Sequence, residues 1–325
     1  MNFKEFKAGK DDDGRRLDRI VRLFLKDKSL GEIYKLIRKG LIKVNLKKAS
    51  PETHINENDI ISIADFLISD TKKTENSTSK SPLNIIFENE DLLIIDKPYG
   101  KSVHNEKDGI IDDVLAYLDS KNQTKENESL SFRPGPLHRL DKRTTGLLAF
   151  SKSLKGAQWF SEGIKNHTIK KSYYGLASGK LEKTENWKDY LSDSEDKTKD
   201  GFFKVKEDQN GDLCETTAIP LAYGNYQNQS VTLVEFKIKT GRKHQIRMQS
   251  SLHKHPLLGD SAYGGKKILI SDLKTSREFY LQAYKLEFPE NNPLNLPSEI
   301  KIDLSPEFSS IMQKLECCEI ENPGL

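Results

Sequence analysis

The segment His138-Arg139-Leu140-Asp141-Lys142-Arg143-Thr144-Thr145-Gly146-Leu147-Leu148 sets one carboxylate among basic residues. It then supplies two hydroxyls, a glycine and an apolar run able to enter a core. A carboxylate kept ionised in such a place can act as a nucleophile or a base. An Asp in a polar loop more often caps its own backbone, and spacing alone leaves both readings open. Hydrolysis of a glycosidic bond would require a second carboxylate close by. Asp96 and Asp260 are available, but both stand in turn-like contexts rich in Gly or Pro. The chain has no P-loop, GxGxxG, CxxC or HExxH pattern, so neither a nucleotide cradle nor a metal cage is written in it.

Four further elements accompany this segment. They are Asp96-Lys97-Pro98-Tyr99-Gly100-Lys101-Ser102-Val103-His104, Lys171-Ser172-Tyr173, Thr240-Gly241-Arg242-Lys243-His244-Gln245-Ile246-Arg247, and Pro256-Leu257-Leu258-Gly259-Asp260 with Tyr263-Gly264. Together with HRLDKRTTGLL, this ordered set over about residues 84–290 resembles the signatures of the RluA family of pseudouridine synthases. Departures are mild: Thr145 where Ser is common, Asn105 where Pro is frequent, Met248-Gln249 for Val-His, and Tyr280-Leu281-Gln282-Ala283 for Leu-His-Ala.

The resemblance implies an isomerase that breaks the bond from ribose to uracil nitrogen, turns the base and rejoins it through a ring carbon. Such a reaction is redox-neutral and needs no cofactor or metal. By resemblance, Asp141 is the catalytic carboxylate and Arg247 the guanidinium that keeps it charged, which Arg can do bidentately. Tyr173 packs against the extruded uracil, with a hydroxyl able to assist proton transfer, and Arg139 enters the space the base leaves. His138, His104 and Arg242 are expected to be architectural, and Gly241 and Gly259 to serve backbone turns. His244 could be a general base, but a structural role at a helix start is preferred.

Several elements must position these groups. Leu17, Ile20, Val21, Phe24 and Leu25 recur at helical spacing, and Arg15, Arg19, Arg22 and Lys26 do so on another face. Ser29 with Glu32 fits a capping box ahead of a second helix, with Ile33, Leu36 and Ile37 inside and Lys35, Arg38 and Lys39 outside. Gly40 suits a left-handed stop, and strands follow at Leu41–Asn45 and Asp59–Ile63. Two basic helices and a hairpin resemble the alpha-L RNA-binding motif, which makes Arg15, Arg19, Arg22, Lys35, Arg38 and Lys39 candidate RNA contacts. Beyond them a buried strand is expected at Leu92–Ile95, a half-buried one at Val231–Ile238, a helix from His244 to Ser251 and a strand over Phe279–Phe288. The polar stretch Lys183–Asp212 reads as loop or insertion.

The expected fold class is therefore α+β: a small helix–helix–hairpin domain, then a mixed, mainly antiparallel β-sheet domain with flanking helices, the pseudouridine synthase fold. Domain limits are drawn at 1–66, a flexible linker at 67–83, the catalytic domain at 84–315 and a tail at 316–325. The polar linker predicts few contacts across it.

Composition agrees with this reading. Charged residues make up 31% of the 325 and mean hydropathy is −0.67. No apolar run approaches a membrane span and no secretory signal opens the chain, so a cytoplasmic protein is expected, monomeric by default. Cys214, Cys317 and Cys318 suggest neither a disulfide framework nor a metal site. Residues 1–64 hold 15 Lys+Arg against 10 Asp+Glu, while the rest holds 37 against 39, so the positive charge lies in the amino-terminal module. The expected partner is RNA, ribosomal by resemblance, with transfer RNA as the alternative. An RNA-binding protein with a dead synthase domain is disfavoured because Asp141, Tyr173 and Arg247 are all present.

Overall fold

The computed structural model describes residues 1–25, 27–68, 82–103, 109–121, 129–130, 132–197, 203–226, 229–266, 278–314 and 318–319. In the amino-terminal module, the chain runs through β1 (Phe3–Lys7), β2 (Arg15–Arg16), α1 (Leu17–Phe24), α2 (Leu30–Arg38), β3 (Ile42–Val44), β4 (Lys47–Lys48), β5 (His54–Ile55) and β6 (Ile60–Ala64). Leu17, Ile20 and Val21 of α1 pack with Ile33 and Ile37 of α2 and with Ile42, Ile61 and Ile63 of the sheet. This apolar seam, more than helix propensity, is what holds helices this short. α2 starts on the expected capping box: Ser29 N donates to Glu32 Oε2 at 2.8 Å, and Glu32 N to Ser29 Oγ at 3.4 Å. Such a cap contributes about 1 kcal/mol. Gly40, left-handed at φ +74°, ends the helix.

Strands β1, β6, β3 and β4 form an antiparallel sheet in that order. Arg15 departs from expectation. It lies in β2, paired with Ile55, rather than on the helix, because the strand's backbone pairing overrides a coincidental four-residue spacing. Lys26 falls outside the described residues, as do positions 69–81 of the expected linker.

The larger unit contains β7 (Asn84–Glu88), β8 (Leu92–Lys97), α3 (Ile110–Ser120), β9 (Gly135–Pro136), β10 (Thr145–Ser151), α4 (Leu154–Lys165), β11 (Lys170–Ser178), β12 (Glu185–Lys197), β13 (Phe203–Glu207), β14 (Asp212–Tyr226), β15 (Gln229–Ile238), α5 (Gln245–Leu252), β16 (Leu281–Glu287), β17 (Glu299–Lys301), α6 (Pro306–Lys314) and β18 (Cys318–Glu319). Its sheet is ordered β13-β12-β14-β15-β11-β16-β10-β8-β7, with β9, β17 and β18 pairing to β10, β16 and β14. Among the described pairs, β10 with β16 is parallel and the rest are antiparallel, as a mixed α+β sheet requires.

Two expectations change. Val231–Ile238 is not half-buried: Val234 and Phe236 enter one core cluster, while Val231 and Leu233 enter another on the opposite face. The strand lies between β14 and β11 with both faces covered, so its polar Glu235 is buried and accepts a 2.6 Å hydrogen bond from Tyr284 Oη. Lys183–Asp212 is not a loop but holds the β12–β13 hairpin. At this margin of the sheet only Trp187 and Leu191 of β12 are buried, so a polar composition is compatible with strand pairing.

The two units also touch more closely than a polar linker suggests. The buried Asp12 accepts from Leu130 N at 2.7 Å and Ser129 Oγ at 3.1 Å, and Leu130 packs into the core of the amino-terminal module. Asp11 Oδ2 accepts from Leu154 N at 3.2 Å, at the start of α4. No helix among the described residues is long and apolar enough to cross a membrane.

Candidate active site

Asp141 lies in the turn that delivers the chain into β10, where Thr144 N bonds back to Asp141 O at 3.0 Å. The turn is tied down by Lys97, at the end of β8. Its fully buried ammonium donates to the carbonyls of Pro98, Lys101 and Lys142 at 3.0, 2.8 and 3.1 Å. Gly100 N adds a bond to Lys142 O at 3.0 Å. The DKP element is thus a clamp on the Asp141 turn. On the other side, Gly146 sits at φ +106°, and a Cβ there would stand 2.1 Å from Ala283 O. Only glycine allows β10 and β16 to approach at that point.

Arg247 comes from α5. The loop before the helix is fixed by Gln245, whose Oε1 accepts from Thr240 Oγ1 at 2.8 Å and Arg242 N at 3.1 Å. Its Nε2 donates to Glu215 O and Thr216 Oγ1 at 3.1 and 2.9 Å. Arg247 is 6% exposed and stacks against Phe279, with its guanidinium carbon 4.4 Å from the ring centre. It meets Asp141 Oδ2 through Nη1 at 3.2 Å. The bidentate pairing expected for Asp141 goes elsewhere: Nε and Nη2 bond to Asp260 Oδ2 and Oδ1 at 2.7 and 2.9 Å. Asp260 is therefore no second free carboxylate, since it is buried and committed to Arg247.

His244 starts α5 in a left-handed conformation, φ +51°, and also faces the site. Its Nδ1 lies 2.7 Å from Tyr263 Oη, and its Nε2 is 3.8 Å from Asp141 Oδ2. Tyr263 Oη already accepts from Val205 N at 3.0 Å, so its proton is available for His244 Nδ1. With the hydroxyl as donor to Nδ1, the neutral ring carries its proton on Nε2, on the side of Asp141; the opposite tautomer reverses both roles.

Burial works to raise the Asp141 pKa, but the pull of His244, Arg247 and Arg139 outweighs it, and the carboxyl is held below its usual range. Burial also keeps His244 below the ordinary imidazole value despite Asp141. The pull of His244 on Asp141 therefore acts only where acid protonates its ring, whereas Arg247 and Arg139 are permanent guanidinium cations beside the carboxylate.

Asp141, Arg139, Tyr173 and Arg247 line one cleft of about 740 Å³. Tyr173 is 6% exposed, and burial, aided by the charge of Asp141, pushes its phenol upward, so it stays a neutral hydroxyl at physiological pH. Arg139 is exposed at the cleft. His138 has the expected architectural place: Nε2 accepts from Ala149 N at 3.1 Å, and burial lowers its pKa to about 3. Arg242 is half-exposed and pairs with Asp212 at 3.3 Å. Gly259, at φ +90°, serves a turn as expected, whereas Gly241 has no left-handed conformation. His104 and Asn105 lie outside the described residues.

The six basic residues proposed for RNA contact do not line the cleft; they belong to the amino-terminal module. Arg19, Arg22, Lys35, Arg38 and Lys39 are exposed and have no ion-pair partner among the described residues, and Arg15 is partly covered. Sequence reasoning missed roles for Lys97, Gln245, Asp260 and Tyr263. All four stand inside the motifs, so the signal was present without the partner.

The family model for RNA pseudouridylate synthase matches residues 91–252, and that for the S4 domain matches residues 15–61. The tRNA pseudouridine synthase C of Vibrio cholerae is 31% identical over 63% of this chain and 85% of its own. The ribosomal large subunit pseudouridine synthase C of Pasteurella multocida is 28% identical over 96% of this chain and 94% of its own. Among solved structures, human RNA pseudouridylate synthase domain containing 4 shares the fold, with a TM-score of 0.55 at 24% identity over 74% of this chain and 95% of its own. The chain belongs to the RluA family of RNA pseudouridine synthases, which are isomerases, and carries an S4 domain at its amino end.

Proposed function

We propose that this chain isomerises uridine to pseudouridine in large-subunit ribosomal RNA, with Asp141 as the catalytic residue acting on an extruded uridine. The observation that carries the reading is the Asp141 carboxylate in the cleft, 3.2 Å from Arg247 and held below its usual pKa. An ionised carboxylate is what attack on the ribose or ring, or abstraction of a sugar proton, requires. Tyr173 packs against the flipped uracil, Arg139 occupies the space it leaves, and Arg247 keeps Asp141 charged. The bond exchange is redox-neutral, so no cofactor or metal is assigned to it. Residues 1–66 form the RNA-capturing domain and 84–315 the catalytic one, in a monomeric cytoplasmic enzyme.

The ribosomal substrate is favoured because similarity to the Pasteurella multocida protein extends over 96% of the chain. A transfer RNA substrate is the second reading, motivated by the 31% identity to the Vibrio cholerae protein. Mapping pseudouridines in both RNA classes from cells lacking this protein decides between them. The role of Asp141 is tested with Asp141→Asn, which keeps size and removes charge. RNA affinity should stay within about threefold while pseudouridine formation vanishes; substantial residual isomerisation would reject the assignment.

A further inference from the structure

Lys171 lies two residues before Tyr173 on β11 and lines the same cleft. It is 7% exposed, and its side-chain ammonium makes no hydrogen bond or ion pair with any described residue. The cleft's own carboxylates are engaged elsewhere: Asp141 with Arg247 at 3.2 Å, and Glu215 with Lys239 at 3.0 Å. Burial, with no anion to oppose it, pushes the Lys171 ammonium down to about 8. A buried cation without a counter-ion is unfavourable, and its retention at a cleft wall points to an anion that arrives from outside.

The surroundings fit such a visitor. Lys165, Lys239, Arg242 and Lys243 line the same cleft; Lys239, Arg242 and Lys243 each pair with a carboxylate, while Arg139, Lys165 and Lys171 of the lining have no such partner among the described residues. Gly241 closes over the ammonium: a Cβ at that position would stand 2.8 Å from Lys171 Nζ. This close approach, rather than a turn, accounts for glycine there. Against β15 the register is unbroken, with Lys171 opposite Ile238 and Tyr173 opposite Phe236, so both side chains share a strand face. They stand roughly 6.7 Å apart along the strand.

We infer that Lys171, seated against Gly241, is a receptor for a phosphate of the nucleotide drawn into the cleft. The inference rests on the synthase reading above, in which a uridine leaves its stack and carries its flanking phosphates toward the cleft. Lysine supplies a compact point charge for such a group. The phosphate provides the missing counter-ion, so the charge is stabilised when substrate is in place and exposed to its desolvation penalty when it is not.

Calorimetric titration with uridine 3′,5′-bisphosphate and with plain uridine, at fixed ionic strength, tests this. The wild-type protein should bind the bisphosphate at least about tenfold more tightly than uridine, the scale of one charge-assisted hydrogen bond. Lys171→Met should remove that preference while holding uridine affinity within about twofold, the signature of a lost phosphate contact. Gly241→Ala should do the same by displacing the ammonium, because its new methyl meets only the flexible end of Lys171. Neither variant should melt at a lower temperature. A preference that survives in Lys171→Met, a wild-type protein with none, or an equal loss for both ligands would overturn the proposal. Failure of the synthase reading is seen separately, as isomerisation by Asp141→Asn, because binding of the bisphosphate needs no turnover.

Discussion

Arg247 commits its Nε–Nη2 fork to Asp260 and reaches Asp141 with Nη1 alone. The guanidinium is thus oriented by one carboxylate to serve another. Asp260→Ala should leave Arg247 buried without that anchor and lower stability by about 3–5 kcal/mol. Asp260→Asn preserves the packing and should fold, with kcat falling more than KM because Asp141 is no longer met by an oriented donor. Steady-state kinetics and denaturant unfolding of the pair of variants check this. An unchanged kcat in Asp260→Asn would reject the positioning role.

Arg247→Ala should raise the Asp141 pKa, since burial already favours the neutral acid and a principal opposing charge is gone. Activity lost near neutral pH should be partly regained at higher pH, with Arg247→Lys between the two. Single-turnover rates at saturating RNA give the profile. A near-normal maximal rate with an unshifted acid limb would instead mark Arg247 as a phosphate contact.

The exposed cations Arg19, Arg22, Lys35, Arg38 and Lys39 should carry the salt dependence of RNA binding. Each phosphate contact removed by Ala substitution should flatten the slope of log K against log salt by about 0.7–0.9. Filter binding across a salt series measures it. Five single variants with the wild-type slope would move the RNA interface elsewhere.

Asp12 should hold the two units together. Asp12→Ala strips the Leu130 amide and the Ser129 hydroxyl of an acceptor in a buried place. Urea unfolding should register a loss of about 1–3 kcal/mol. For the same reason, removing residues 1–68 should expose Leu130 and leave a poorly soluble remainder. A well-behaved truncated protein of undiminished stability would show that the joint is dispensable.

How much of this was legible in the chain depended on range. The Ser29–Glu32 cap and the Gly40 stop are local, and pattern finds local structure. The cleft residues were legible because Asp141, Tyr173 and Arg247 sit in short motifs whose order a resemblance can read. What each motif residue touches was not legible. The partition of the Arg247 guanidinium between Asp141 and Asp260 depends on how α5 lies against two separate turns. The β12–β13 hairpin was misread because few of its residues are buried, so composition resembled a loop. Arg15 was misread because a spacing of four also fits a residue just outside a helix.

Lys97 gives the enzyme two unlike sensitivities to its medium. Its ammonium is sealed from solvent and held by three backbone carbonyls, and dissolved ions screen such contacts little. The cations on α1 and α2 face water and are screened fully. Rising ionic strength should therefore empty the cleft of RNA long before it deforms the turn that presents Asp141. An enzyme inhibited by salt in this way recovers at once on dilution, with no refolding step.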